Sequence, residues 1–250
     1  SLRGRCVFSS EIDACAAQTY AANFGEAPSG DITEVETEAL PAHDLLTAGF
    51  PCQSFSRCGE QRGLGDARGD LFFEIIRVAR RANPKAMLLE NVPNLLRVDN
   101  GHALHIIVHA LTAAGYHCRL QLANARTLVP QHRERLYIAA FRSAAAAAAF
   151  RWPSLPTAPA ACLRDVLEPP GAASRYALSE GQWASVRGSS EFVHEPQWRL
   201  AQLDGAARTL RGSYRKSYTR FSEFVPSAEV QAACEARAAG GGGGGGKGAS

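Results

Sequence analysis

Several features that would assign the chain to a common class of protein are missing from the sequence. No apolar run approaches the roughly 20 residues that a membrane-spanning helix needs, and the N-terminus is not followed by the long apolar segment of a secretory signal peptide. The seven cysteines form no Cys-x-x-Cys pair, so the sequence indicates neither a zinc ribbon nor a secreted disulfide framework. Their odd number and wide spacing favour a reducing, intracellular compartment.

Strong charge is also missing. The formal net charge is +3, and 20% of the residues are charged, so a nucleic-acid partner would require a local concentration of positive charge. Hydrophobic residues make up 46% of the chain, which is enough to bury a core and excludes a wholly disordered protein. Because the only methionine is Met87, we expect that Ser1 is not the natural start of the protein.

Short β-rich runs alternate with helical patterns over the first 142 residues. The predicted strands cover residues 6–8, 44–47, 86–89, 118–122 and 136–141. The predicted helices cover residues 14–24, 70–82 and 102–113, and in the second of these Phe72, Ile75, Ile76 and Ala79 follow the helical repeat. This alternation predicts an α/β fold with a mostly parallel sheet and helices on both faces. Ligands of such sheets bind where the strands end.

The composition changes at Ser143. An alanine run at 144–149 is followed by five prolines up to position 170, which indicates a linker and not a continuation of the sheet. Seven consecutive glycines at 240–246 indicate a flexible tail. The sequence therefore predicts a core of residues 1–142, a linker of 143–160, a second region of 161–237 and a tail of 238–250.

Three segments with unusual polar residues lie at predicted strand ends. They are Gly-Phe-Pro-Cys-Gln-Ser-Phe-Ser at 49–56, Glu-Asn-Val-Pro at 90–93 and Gln-His-Arg-Glu-Arg at 131–135. Because neighbouring strands of a parallel sheet end at the same edge, we expect their polar groups to meet in one cleft. These polar groups include the thiol of Cys52, the carboxylate of Glu90 and the guanidinium groups of Arg133 and Arg135.

In their order and spacing these segments resemble the cytosine-C5 DNA methyltransferases. The matching blocks are Ser10-Glu11-Ile12-Asp13, Gly30-Asp31-Ile32-Thr33, Pro51-Cys52-Gln53, Arg68-Gly69-x-Leu71-Phe72-Phe73, Glu90-Asn91-Val92 and Gln131-x-Arg133-x-Arg135. The resemblance covers residues 2–142 and implies a Rossmann-like class I methyltransferase core. The family's first block and last two blocks are not found, so we expect a fragment of a longer enzyme.

The resemblance implies methyl transfer from S-adenosylmethionine to C5 of cytosine in DNA. C5 of the aromatic ring is a poor nucleophile, and a thiolate that adds to C6 gives C5 the character of an enamine. Cys52 would supply that thiolate. Glu90, kept partly neutral by burial, would stabilise the ring at N3. Arg135 would contact the cytosine O2, and Arg133 would help to hold the Cys52 loop.

The same resemblance implies a set of residues for the cofactor. Glu11 would accept hydrogen bonds from the ribose hydroxyls, Ile12 would pack on the adenine, and Asp31 would accept a hydrogen bond from the exocyclic amine. The expected cofactor site consists of Glu11, Ile12, Asp31, Ile32, Phe50 and Pro51. The chemistry requires no metal, and none is expected.

DNA is the expected partner. The target base must be flipped out, because C5 and C6 are stacked inside a duplex, and Gln53 and Ser54 are expected to contact it. Basic residues interleave with aromatic residues between positions 208 and 220, which suits phosphate and base contacts and marks 161–237 as the expected target-recognition region. The candidates for DNA contact there are Arg211, Arg215, Lys216 and Arg220. We expect a monomer, nuclear in a eukaryote and cytoplasmic in a bacterium.

Other interpretations remain open at this point. RNA cytosine-C5 methyltransferases share most of the matching blocks, and a non-catalytic nucleic-acid-binding relative would share them too. The basic stretch at 208–220 could be a solvated surface. The histidines at 102, 105 and 109 have helical spacing but lie opposite the apolar stripe, which favours a solvated face over a metal site. The sequence further predicts that Cys6, Cys15, Cys118 and Cys162 are small buried apolar residues.

Overall fold

The computed structural model describes residues 4–51, 71–159, 161–168, 177–194, 199–210 and 222–226. The chain forms two compact units: one comprises Ser1–Ala123 and Glu134–Pro153, and the other comprises Asn124–Arg133 and Ser154–Ser250. Every helix in the described ranges is too short or too polar to cross a membrane. The division of the chain at residues 142 and 160 stays a prediction.

The described residues of the first unit form a four-stranded sheet. Its strands are β1 (Leu45–Gly49), β2 (Ala86–Asn91), β3 (His117–Asn124) and β4 (Glu134–Phe141), in the spatial order β1-β2-β4-β3. Strands β1 and β2 are parallel, whereas β2 and β4 are antiparallel. The described sheet is therefore mixed, and the prediction of a mostly parallel sheet is corrected. The nine residues between β3 and β4 are too few for a parallel crossover, which needs about a dozen or more residues.

In the part of the first unit that the structure describes, four helices accompany the sheet: α1 (Ala14–Phe24), α2 (Leu71–Ala82), α3 (His102–Ala113) and α4 (Ala144–Ala149). The predicted bounds of α1 and α3 are confirmed. Asp13 caps α1 by accepting a hydrogen bond from the amide of Ala16, and Gly25 ends it with a φ of 76°. The three histidines of α3 are exposed, as a solvated face requires.

The core of the first unit lies between the sheet and helices α2 and α3. Helix α2 buries the apolar positions that its periodicity predicted. The most deeply buried side chains of this core include Phe72, Leu89, Leu95, Ile107, Leu111 and Ile138. Tyr116 is buried as well, and its hydroxyl donates a hydrogen bond to the carbonyl of Pro84 over 2.9 Å.

The strand predicted at residues 6–8 is wrong. This segment is extended but pairs with no strand among the described residues, and a single bridge joins Ser10 to Ser29. Val7 is 37% exposed and Ile12 is 71% exposed. An apolar run forms a strand only where a neighbouring strand accepts its hydrogen bonds, and the described part of the chain supplies none here.

The cysteine predictions are partly wrong. Cys6 and Cys15 are exposed, and Cys118 and Cys162 are half-buried. Cys6 belongs to the segment that fails to form a strand, and α1 buries none of its residues. Burial raises the pKa of the Cys118 thiol to about 11, so this side chain remains an uncharged thiol at neutral pH.

The alanine run assigned to a linker forms helix α4. Its N-terminus is capped by the hydroxyl of Ser143, which accepts a hydrogen bond from the amide of Ala146. Ala147 is buried, and its carbonyl accepts a hydrogen bond from Arg119 Nε over 2.9 Å. Alanine has the highest helix propensity, and its small side chain allows this close packing.

The described residues of the second unit include two short helices, α5 (Glu180–Arg187) and α6 (Ser190–His194). The Trp183 ring packs on Phe192 and Phe224, with centroid distances of 5.4 and 5.7 Å. Isolated bridges join Leu200 to Phe224 and Gln131 to Ala207. Aromatic packing and these bridges therefore hold together segments that are distant in sequence.

The burial pattern predicts unequal costs for two leucine truncations. Leu111 is fully buried, whereas Leu45 is 54% exposed. Leu111→Ala leaves a cavity in the core and should lower the free energy of unfolding by about 2–5 kcal/mol. Leu45→Ala should lower it by less than about 1 kcal/mol. Urea denaturation of both variants measures the difference, and equal losses would contradict the assignment of the core.

Candidate functional site

The carboxyl ends of β1 and β2 lie side by side, because Gly49 pairs with Glu90 in the parallel register. The next residue of each strand continues this contact. Asn91 is only 3% exposed, and its Nδ2 donates a hydrogen bond to the carbonyl of Phe50 over 2.8 Å. Its Oδ1 accepts a hydrogen bond from the amide of Val92. Asn91 thereby fixes the backbone two residues before Cys52.

The amino end of β4 meets the same edge of the sheet. Because β4 is antiparallel to β2, Leu136 pairs with Asn91 and Tyr137 pairs with Glu90. Arg135, the second residue of β4, therefore lies beside the carboxyl end of β2. Its Nε lies 2.7 Å from Glu90 Oε1, and its Nη1 donates to the carbonyl of Glu134 over 2.7 Å. The structure thus brings together two of the four candidate catalytic residues.

The environment of Glu90 differs from the one that the sequence predicted. The expectation was a carboxyl group that burial keeps partly neutral. The Glu90 side chain is 34% exposed, and its partner is a guanidinium group whose own side chain is 13% exposed. Glu90 is therefore held by an ion pair at a partly exposed position.

Arg133 lies in the segment 124–133 of the second unit. Its amide donates a hydrogen bond to Asn124 Oδ1 over 3.1 Å, and its carbonyl accepts one from the amide of Ala125. The Arg133 side chain is half-buried. The backbone that carries this guanidinium group is therefore held on both sides.

Sequence reasoning missed the residues that hold this segment. Asn124 Nδ2 lies 3.0 Å from His132 Nε2, and the hydroxyl of Thr209 donates to the carbonyl of His132. The amide of His132 donates to the carbonyl of Ala207 over 2.7 Å. The contacts of His132 with residues 207 and 209 span more than 70 residues of sequence, so no local pattern could have predicted them.

The candidate cofactor residues lie on two neighbouring segments of the first unit. The amide of Glu11 donates to the carbonyl of Ser29 over 2.8 Å, which places residues 9–11 alongside residues 29–30. Asp31 begins a short 3₁₀ helix, Ile32–Glu34, and its Oδ1 accepts a hydrogen bond from the amide of Thr33 over 2.9 Å. This hydrogen bond lowers the pKa of the Asp31 carboxyl, so Asp31 is ionised at neutral pH.

These residues fit the adenosine half of S-adenosylmethionine. Ile12 is 71% exposed and offers an apolar surface for a flat ring. The carboxylates of Glu11 and Asp31 offer acceptors for hydroxyl and amine donors, and Ile32 is half-buried beside Asp31. Phe50 is buried and Pro51 is exposed at the end of β1.

The remaining site predictions fall on residues outside the described ranges. These residues are Cys52, Gln53, Ser54, Arg211, Arg215, Lys216 and Arg220. Their assignment to catalysis, to the target base or to DNA stays a prediction. Within the described ranges, no group of three or more His, Cys, Asp or Glu side chains is arranged to hold a metal ion.

The buried amide of Asn91 should make a measurable contribution to stability. Asn91→Ala leaves the carbonyl of Phe50 without this donor, and we expect a loss of about 1–3 kcal/mol in the free energy of unfolding. Asn94→Ala is the matched control, because Asn94 is exposed three residues further on. Chemical denaturation of both variants tests this expectation, and a loss at Asn91 no larger than that at Asn94 would contradict it.

Comparison with curated proteins identifies similar sequences among bacterial enzymes. The type II methyltransferase M.HpaII of Haemophilus parainfluenzae is 42% identical over 247 residues, which cover 92% of this chain and 68% of that protein. M.HhaI of Haemophilus parahaemolyticus is 44% identical over 144 residues, which cover 57% of this chain and 44% of that protein. M1.ScrFI of Lactococcus lactis is 49% identical over 55% of this chain and 36% of that protein. The chain thus spans about a third to two thirds of the lengths of these relatives.

Comparison with solved structures shows a related fold. A mutant of DNMT2 from Spodoptera frugiperda superposes with a TM-score of 0.65 at 20% identity, over 96% of this chain and 73% of that chain. Dnmt2 methyltransferase of S. pombe superposes with a TM-score of 0.55 at 19% identity, over 88% of this chain and 67% of that chain. At these identities the likeness concerns the fold alone.

A family profile also matches most of the chain. The profile described as C-5 cytosine-specific DNA methylase matches residues 1–227, which include both segments of the candidate cofactor site and both members of the Glu90–Arg135 pair. The chain therefore belongs to the C-5 cytosine-specific DNA methylase family.

Proposed function

We propose that the protein transfers a methyl group from S-adenosylmethionine to C5 of cytosine in DNA. The main observation in support of this proposal is the ion pair between Glu90 and Arg135, in which Arg135 Nε lies 2.7 Å from Glu90 Oε1. The pair lies at the edge of the sheet where β1 ends and the chain continues to Cys52. Family membership supports the same reaction. When bound, S-adenosylmethionine supplies a methyl group that its sulfonium makes transferable without a metal.

Cys52 would act as the nucleophile. Its thiolate forms a bond to C6 of the cytosine, and the electron pair displaced from the C5–C6 double bond makes C5 nucleophilic. C5 would then take the methyl group, and the bond from that methyl carbon to the cofactor's sulfonium sulfur would break. Loss of the C5 proton to a base and departure of the Cys52 thiolate restore the aromatic ring. The hydrogen bond from Asn91 to Phe50 supports this role, because it holds the backbone from which Cys52 extends.

Glu90 and Arg135 would stabilise the charge that develops on the ring. Arg135 presents a fixed positive charge for the cytosine O2, and the Glu90 carboxyl, sharing a proton with N3 of the base, would stabilise the negative ring. Each partner of the ion pair restricts the other to one position, so little reorganisation is needed when the ring becomes negative. Arg133 would act from its backbone-anchored segment and help to hold the base and the Cys52 loop.

The cofactor and DNA sites complete the proposal. Glu11, Ile12, Asp31 and Ile32 would hold the adenosine half of the cofactor, with Phe50 and Pro51 at the end of β1. Gln53 and Ser54 would contact the flipped cytosine. Arg211, Arg215, Lys216 and Arg220 would contact DNA from a recognition region at 161–237. We further propose that a Rossmann-like class I core carries the reaction, and that the protein acts as a monomer in the cytoplasm of a bacterium, as its bacterial relatives suggest.

Covalent trapping tests the nucleophile. A duplex containing 5-fluorocytosine cannot lose a proton from C5 after methylation, so the whole protein with S-adenosylmethionine should form an adduct that survives denaturation. Cys52→Ala should abolish the adduct, whereas Cys58→Ala, six residues further along, should retain it. No adduct with the unsubstituted protein, or an adduct with Cys52→Ala, would contradict the mechanism. An adduct with transfer RNA and none with DNA would assign the substrate to RNA.

A substitution in the ion pair tests its catalytic role. Glu90→Gln replaces the carboxyl group that pairs with Arg135 by an amide, which cannot share a proton with N3 of the base. This substitution should lower kcat by about 10²–10⁴-fold. Asp44→Asn is the matched control, because it breaks the exposed Asp44–Lys85 pair of 2.9 Å at the other end of β1 and β2. This control should keep kcat within about twofold. Single-turnover methylation of a DNA duplex measures both, and similar losses in the two variants would refute the role of Glu90.

A further inference from the structure

One arginine of α2 reaches the candidate cofactor segment from a distant part of the chain. Arg77 Nη2 donates a hydrogen bond to the carbonyl of Ile32 over 2.8 Å, and its Nη1 donates to the carbonyl of Val35 over 3.0 Å. Its Nε donates to Glu74 Oε2 over 2.6 Å. The Arg77 side chain is 34% exposed, and that of Glu74 is 16% exposed. A single guanidinium group thus joins α2 to the residues that follow Asp31.

These contacts complete the short 3₁₀ helix Ile32–Glu34. Its amino end is capped by the Asp31 carboxylate, which accepts the amide of Thr33. Its carboxyl end presents carbonyl groups that the helix itself satisfies poorly, since the amide of Val35 reaches the carbonyl of Ile32 only at 3.3 Å. Arg77 supplies two directed hydrogen bonds to carbonyls of this segment.

We propose that Arg77 is a positioning residue that holds Asp31 and Ile32 in the arrangement that binds the adenosine half of S-adenosylmethionine. This inference rests on the proposed function. Arg77 acts through the backbone carbonyls of Ile32 and Val35 and is assigned no contact with the cofactor. It therefore sets the affinity for the cofactor and leaves the methyl-transfer step itself unchanged.

The geometry requires arginine at this position. A planar guanidinium presents several N–H donors in a fixed arrangement and can serve two carbonyls and one carboxylate at once, whereas a lysine ammonium is a compact point charge on a flexible chain. Glu74 orients the guanidinium from the same helix, three residues earlier. Without Arg77, the carbonyls of Ile32 and Val35 would hydrogen-bond to water, and the segment would be less ordered. Part of the free energy of cofactor binding would then be spent on ordering this segment.

Calorimetric titration with S-adenosylhomocysteine, the demethylated cofactor, tests the inference on the whole protein. Arg77→Ala should raise Kd by about 10–100-fold, and Arg77→Lys should recover only a small part of the loss. Glu74→Gln leaves the Arg77 guanidinium in place but removes its charged partner. This variant should raise Kd by about 2–5-fold. Arg80→Ala is the matched control: it removes an exposed arginine of the same helix and should leave Kd within about twofold.

Two further measurements separate positioning from a general loss of structure. The KM for S-adenosylmethionine should rise in parallel with Kd, while kcat at saturating cofactor stays within about twofold. In the unliganded Arg77→Lys protein, the amides of Thr33 and Val35 should exchange hydrogen faster, while those of β2 should not change. An unchanged Kd in Arg77→Lys, or faster exchange in β2 as well, would overturn the inference. Failure of the unsubstituted protein to bind S-adenosylhomocysteine would instead overturn the proposed function.

Discussion

The register of β2 between its two neighbours controls the position of every described polar group at the sheet edge. On one side Glu90 pairs with Gly49, and on the other it pairs with Tyr137. Successive side chains of a strand point to opposite faces, so a slip of one residue would exchange the faces of Glu90 and Asn91. Glu90 would then lose Arg135, and the chain leading to Cys52 would lose the amide of Asn91. The buried alternation along β2 excludes that slip, because it would expose Met87 and Leu89.

Two polar contacts at this edge have different physical roles. The Asn91 amide is buried and satisfies a backbone carbonyl, so its main effect is to avoid an unpaired polar group. The Glu90–Arg135 pair is partly exposed, with 34% and 13% of the side chains accessible, and such pairs contribute modestly to stability. Its geometry matters more than its energy, because it fixes the Glu90 and Arg135 side chains relative to each other where β2 ends.

Local patterns in the sequence predicted α1, α2 and α3 well, but they missed α4 and predicted the sheet less well. The periodicity of α2 and α3 follows from burial on one face, and the structure confirms both. The direction of β4 depends on the short connection from β3, and the missing strand at residues 6–8 depends on the absence of a described neighbour. Neither property is encoded in the strand itself. The site shows the same limit: sequence segments indicated Glu90 and Arg135, but Arg77 contacts carbonyls 42 and 45 residues away.

Helix α2 contacts both the segment that leads to Cys52 and the segment proposed to bind the cofactor. Its buried Phe72 packs on Phe50 with a centroid distance of 5.3 Å, and Phe50 is held in turn by Asn91. On the same helix, Arg77 holds the segment that carries Asp31 and Ile32. The buried face of α2 is anchored in the core, so these two attachments cannot shift independently of one another. A single helix therefore positions both the segment that leads to Cys52 and the segment proposed to bind the cofactor.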